Sequence, residues 1–163
     1  MDYEVKEIVE RKKDYLELLL LADEQEDMIY RYLEKGRMFV LSDQGEARSA
    51  AVVLELSREE CELKSLATFP RDQGRGYGRA MVAFLLQKFL GPAQTGLYRA
   101  MLVGTGEVPR ILRFYQRCGF QPSHRLPNFF TDNYRHPIIE DGFRLVDMIY
   151  LRAEAWALSE GGI

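Results

Sequence analysis

Cysteine and histidine are scarce in this chain, with two of each among 163 residues. Cys61 and Cys118 are too few for a disulfide framework, and no paired Cys/His spacing suggests zinc, so no metal is expected and both cysteines read as buried thiols. No apolar run approaches the ~20 residues of a membrane span, and Met1-Asp2-Tyr3-Glu4 does not open a basic-then-apolar signal. The expected location is cytoplasmic. Internal repeats, low-complexity tracts and interdomain linkers are missing, and 163 residues that are 47% hydrophobic make one domain, residues 1–163, with its own core. A large charge excess is missing too. The 22 Lys and Arg against 25 Asp and Glu leave a net charge of −3, which gives no general attraction to nucleic acid or to an anionic membrane. Any affinity for phosphate must be local. The sharpest local absence is of acid: from Gln73 to Gly106 there is no Asp or Glu, whereas Arg75, Arg79, Lys88 and Arg99 fall inside.

That interval follows Arg71-Asp72 and opens as Gln73-Gly74-Arg75-Gly76-Tyr77-Gly78-Arg79-Ala80, with glycine at every second position between a strand-like and a helix-like segment. Glycine reaches positive φ and lets the backbone approach a ligand with no Cβ in the way, while the free N–H groups of the following helix face whatever fills the loop. An anion, phosphate first, suits such a junction. A plain strand-to-helix turn is the competing reading of the glycines alone.

In chain order, Tyr3 to Val9 alternates as a first strand. Lys12 to Lys35 is Leu-, Glu- and Tyr-rich at helical spacing and predicts two helices broken near Ala22-Asp23, the second ending at Gly36. Arg37–Leu41 and Ala47–Leu56 are strand-like, joined by the hairpin turn Ser42-Asp43-Gln44-Gly45. After a turn at Ser57–Glu60, Cys61–Phe69 is the strand that feeds the glycine loop. Its alternation sets Cys61, Leu63, Ser65, Ala67 and Phe69 on one face and Glu62, Lys64, Leu66 and Thr68 on the other. Ala80 to Lys88 is an amphipathic helix ending near Gly91-Pro92, and Leu97–Val103 is a strand running into Gly104-Thr105-Gly106. Pro109 opens a further helix with an Ile111, Leu112, Tyr115, Cys118 stripe and Gly119 as its cap. Phe120–Arg125 is strand-like, Pro127–Gly142 an aromatic, partly irregular excursion, Arg144–Leu151 a closing strand and Ala153–Ile163 a short helix or tail. Hairpins early and a helical crossover around the glycine loop predict a mixed α/β sheet with helices on both faces.

Two phosphate devices are excluded. A Walker loop needs Gly-Lys-Ser/Thr, and Gly78 is followed by Arg79-Ala80. A dinucleotide fingerprint needs an acid about 20 residues on, where this chain has none. The remaining pattern, Gln73-x-x-Gly76-x-Gly78 directly after a strand, resembles the acyl-CoA pyrophosphate loop of the GNAT superfamily of N-acetyltransferases. Arg113-Phe114-Tyr115-Gln116-Arg117-Cys118-Gly119-Phe120 is similar to that family's second helix signature, and Cys61-Glu62-Leu63 is spaced like the Ala-Glu-Ile segment of its histone-acetylating branch. The likeness spans about Cys61 to Phe120. An Asn that many members carry before the second helix is replaced by Thr105-Gly106-Glu107-Val108-Pro109, which leaves its pantetheine contact open, with Thr105 as the substitute.

The resemblance implies a mostly antiparallel sheet with a central, splayed parallel pair, and acetyl-CoA as cosubstrate in the split. It implies main-chain pairing of Leu66, Ala67 and Thr68 with the pantetheine, and a pyrophosphate cradle of Gln73, Gly74, Arg75, Gly76, Tyr77, Gly78 and Arg79. Arg75 and Arg79 as merely exposed cations is the alternative. It implies that Tyr115 donates a proton to the departing thiolate, against a plain core tyrosine, and that Glu62 is the general base, against a strand carboxylate paired with Lys64 or a relay of backbone carbonyl and water. The acceptor would be the primary amine of a small molecule or peptide, acetylated directly within a ternary complex. Acidic groups in the helical segment (Asp23, Glu24, Glu26, Asp27) and in the excursion (Asp132, Glu140, Asp141) either attract it or are solvated, and Phe129, Phe130, Tyr134 and His136 suggest a pocket wall. No nucleic-acid or membrane partner is expected, and a homodimer is compatible with the sequence. The alternative function is a catalytically silent acyl-CoA-binding regulatory module.

Overall fold

The structure is a computed structural model describing residues 2–91 and 96–155. In chain order it comprises β1 (Tyr3–Ile8), α1 (Leu16–Leu19), α2 (Glu26–Tyr30), β2 (Arg37–Asp43), β3 (Glu46–Glu55), β4 (Glu60–Thr68) and α3 (Tyr77–Phe89). Then follow β5 (Ala100–Gly106), α4 (Pro109–Arg117), β6 (Gln121–Leu126), α5 (Phe129–Asn133), the two-residue strands β7 (Ile139–Glu140) and β8 (Phe143–Arg144), and β9 (Met148–Glu154). The tail after Ala155 and Pro92 lie outside the described residues, while α3 stops at Phe89, just before Gly91, as the predicted end near Gly91-Pro92 requires.

The seven-stranded sheet runs β1-β2-β3-β4-β5-β9-β6 and is antiparallel except for β4 and β5. A parallel pair needs a crossover, and α3 supplies it on one face of the sheet. There Tyr77, Met81, Leu85 and Phe89 pack on Phe39, Leu41, Ala51 and Val53, with Tyr115 of α4 in the same core. On the other face Leu18, Leu19, Ile29 and Leu33 cover Met38, Val40, Ala50 and Val52. Strict alternation along β2 and β3 feeds both cores, so both strands read as nearly continuous apolar runs.

Three local expectations change. The two helices broken near Ala22-Asp23 are present but shorter than the Lys12–Lys35 stretch, α1 ending at Leu19 and α2 at Tyr30, with turns in place of helix between Arg31 and Lys35. Lys12 ties the segment's end down, its Nζ donating to the carbonyls of Leu33 (3.0 Å) and Gly36 (2.7 Å). Gly104-Thr105-Gly106 remains in β5, paired with β9. A Cβ at Gly104 would lie 2.9 Å from Met148 Sδ and at Gly106 2.5 Å from Leu145, so these glycines make room for β9 and the residues before it.

The third change moves the site. Ser65 pairs with Val52 but Leu63 pairs with Val53, leaving Lys64 as the extra residue of a β-bulge. A bulge shifts the alternation beyond it. Cys61 and Leu63 therefore face α3, whereas Ala67 and the half-buried Phe69 join the opposite core and Leu66 takes their place.

Candidate active site

The parallel ladder between β4 and β5 runs from Glu60↔Ala100 to Leu63↔Val103 and stops where the bulge begins. Beyond it β4 stays on β3 as far as Ser49↔Thr68, and β5 stays on β9 as far as Gly106↔Met148. The two strands part with their facing edges unpaired. A cleft of about 1200 Å³ occupies the split. Leu66, Ala67 and Thr68 line its β4 wall, Thr105 its β5 wall, and Tyr115 the wall built by α4. Unpaired main-chain groups in such an edge accept an extended ligand as an added strand.

The glycine loop closes one end, with Gln73, Gly74, Gly76, Gly78 and Arg79 in the wall. Gly74 (φ 76°) and Gly76 (φ 89°) are left-handed, and Gly76 caps α3. Gly78 differs. Its φ is an ordinary helical one, and a Cβ there would meet Phe114 at 3.5 Å and Thr68 Oγ1 at 3.6 Å, which are ordinary contacts. Nothing within the protein requires glycine at that position, so the clearance above it is open to a ligand.

Beneath the loop lies a charge network that sequence reading missed. Asp72, 1% exposed, accepts from Arg48 Nη1 at 3.0 Å and Arg75 Nη1 at 3.2 Å. Arg48 also donates to the Asp43 carbonyl at 3.2 Å, and the Asp43 carboxylate accepts from the Tyr77 hydroxyl at 2.6 Å. The Tyr77 side chain is thus a buried strut, and Arg75 is held by Asp72 outside the cleft wall, so Arg79 is the loop cation that faces the cleft. The one sequence signal was the acid immediately before the acid-free interval. Arg48 lies 24 residues away on another strand.

Tyr115 packs edge-on against Phe114 and Phe120, with ring centroids at 5.0 and 5.7 Å. No described group hydrogen-bonds its hydroxyl, and burial pushes its ionisation up. Burial raises Cys118, another cleft residue, to about 11. Glu62 is 7% exposed on the sheet face opposite Cys61, and it does not line the cleft. Burial raises its carboxyl, and Lys64, with Nζ 3.9 Å from Oε2, pulls it partly back. Lys64, the bulge residue, does line the cleft.

The other end is closed by the excursion. Tyr134 donates to Asp23 at 2.9 Å, and the Arg135 backbone donates to Gln25 Oε1 at 3.1 Å. Phe130 and Tyr134 stack at 5.7 Å between centroids. Asp23, Glu24 and Glu140 reach the cleft here, and burial raises both Asp23 and Glu140. Glu26, Asp27 and Asp132 do not reach it, and His136 is exposed away from it.

Fold and site together are those of an acyltransferase, a split sheet with the glycine loop at one end of the opening and half-buried carboxyls and aromatic rings at the other. The sequence pattern of the acetyltransferase (GNAT) domain matches residues 34–122. The chain belongs to the GNAT family of acetyltransferases. It is 30% identical over 147 residues, 89% of this chain and 92% of the relative, to the uncharacterized N-acetyltransferase YvbK of Bacillus subtilis (strain 168). Among solved structures, a GNAT family acetyltransferase from Elizabethkingia anophelis with acetyl-CoA bound superposes with a TM-score of 0.86 at 29% identity, covering 93% of this chain and 97% of that one. A Bacillus subtilis acetyltransferase in complex with CoA superposes with a TM-score of 0.84 at 27% identity, covering 94% and 99%.

Proposed function

We propose that the chain transfers the acetyl group of acetyl-CoA to the primary amine of a small molecule or peptide, directly and within one ternary complex. The observation that carries this is the parting of β4 and β5 at the Lys64 bulge, with the glycine loop at one end of the opening and Tyr115 in its wall. The donor's pantetheine pairs with the free edge at Leu66–Thr68 and its pyrophosphate meets the amides that begin α3.

The amine nitrogen attacks the thioester carbonyl carbon, the C–S bond breaks, and the departing thiolate takes a proton. Tyr115 supplies that proton. A phenol raised by burial is a weak acid in water, but burial raises a thiol in the same wall too, Cys118 to about 11, so a thiolate leaving here is a stronger base than one in water. Glu62 takes the ammonium proton through a water molecule, since its carboxylate lies behind the cleft wall rather than in it. Tyr115→Phe keeps the ring packing and removes the donor. Turnover with a verified amine is expected to fall about a hundredfold or more, with the KM for acetyl-CoA little changed. Unchanged turnover would remove Tyr115 from the acid role.

A further inference from the structure

Charge in the middle of the chain is one-sided. Between Asp72 and Asp132 there are eight Lys and Arg residues and a single acid, Glu107. Glu107 is already committed to Arg125, at 2.9 and 3.0 Å. Four of the eight are paired with carboxylates: Arg75 on Asp72, Arg99 on Glu59, Arg110 on Asp141, and Arg125 on Glu107 and Asp147. Lys88 lies over the Phe39 ring, outside the cleft. Three remain with no ion-pair partner among the described residues, Arg79, Arg113 and Arg117, and all three line the cleft. They come from two helices brought together at the glycine loop. The first turn of α3 abuts Phe114 at Gly78, and the Arg79 guanidinium acts on the thiol of Cys118 at the end of α4. Arg113 and Arg117, four residues apart, share one face of α4.

The glycine loop supplies backbone amides for the donor's pyrophosphate, and the three guanidinium groups without carboxylate partners add cationic capacity beside it. We propose that Arg113 and Arg117, with Arg79 at their edge, form a second anion subsite that takes the 3′-phosphomonoester of the donor's nucleotide. Guanidinium is the cation best shaped to grip a phosphomonoester through paired N–H donors. The subsite lets the enzyme choose 3′-phosphorylated donors over shorter or dephosphorylated acyl carriers. The inference rests on the acetyl-CoA reading above.

The test compares acetyl-CoA with acetyl-3′-dephospho-CoA, in the intact chain and in Arg113→Gln/Arg117→Gln. Both side chains are exposed, so thermal melting is expected to be unchanged, and Arg113→Lys/Arg117→Lys serves as the charge-conserving control. The wild type is expected to show a KM for acetyl-CoA roughly tenfold below that for the dephospho donor, as for a few exposed charge-assisted contacts. The glutamine variant should lose that preference, and the lysine variant should retain part of it. Equal KM values in the wild type, or a preference that survives in the glutamine variant, would overturn the inference. So would an equal weakening of both donors, which assigns the arginines to the pyrophosphate. Calorimetry with CoA separates the two levels, because a chain that binds no CoA overturns the acetyl-CoA reading itself.

Discussion

Glu62 and Lys64 sit on either side of Leu63 at the point where the sheet begins to split, and the Lys64 ammonium acts on the Glu62 carboxyl. Burial raises the Glu62 carboxyl and the ammonium at 3.9 Å opposes it. Tyr150 of β9 also faces Glu62, and burial raises its phenol. A carboxylate base works only when deprotonated, so activity falls as the pH drops through its raised value. The acid limb of kcat/KM should lie above the ordinary carboxylate range. Glu62→Gln is expected to lower kcat and erase that limb, whereas Lys64→Met should shift it to higher pH by removing the opposing cation. A pH profile unaltered in Glu62→Gln would assign the proton to a backbone carbonyl and water instead.

The glycine loop shows how one element divides its work among similar residues. Gly76 is left-handed at φ 89°, where a side chain costs about 1–2 kcal/mol. Gly78 is helical and unobstructed by protein, so alanine there gains up to about 1 kcal/mol of helix propensity. Gly78→Ala is therefore expected to melt at the same temperature or higher and yet bind acetyl-CoA more weakly, because its methyl group enters the space kept for the donor. Calorimetry and a melting curve on the same sample check both halves. Undiminished affinity would move the phosphate away from α3. This loop and the Tyr115 helix were legible in the sequence because both are local: glycine spacing, an apolar stripe and a glycine cap lie within ten or so residues. The bulge was not, because it exists only in the register of β4 against β3, and alternation read along β4 alone put Ala67 and Phe69 on the wrong face. The brace of Asp72 by Arg48 is hidden for the same reason, as nothing in a strand such as Glu46–Glu55 announces that its arginine is buried against a distant loop. The same brace pairs Arg75 with Asp72, so its guanidinium does not line the cleft as that of Arg79 does.

At the scale of the whole molecule, two cores on opposite faces hold a sheet that is continuous except along one line. α3 and α4 fix the glycine-loop side of that line, where the donor is proposed to sit. On the acceptor side the excursion is clasped to the chain between α1 and α2 by Tyr134 on Asp23 and Arg135 on Gln25. One end of the cleft holds the glycine loop and arginines with no ion-pair partner among the described residues, the other half-buried carboxyls and aromatic rings, so on the proposed reading the two substrates enter unlike environments and meet beside Tyr115. No helix among the described residues is long and apolar enough to cross a membrane. Direct transfer between two substrates held together is the central claim, and initial velocities test it. With acetyl-CoA and a panel of amines and short peptides both varied, free thiol and acetylated amine measured by mass spectrometry should appear in equal amounts, with double-reciprocal lines that intersect. Parallel lines, thiol without acetylated amine, or bound acetyl-CoA that no amine consumes would contradict it.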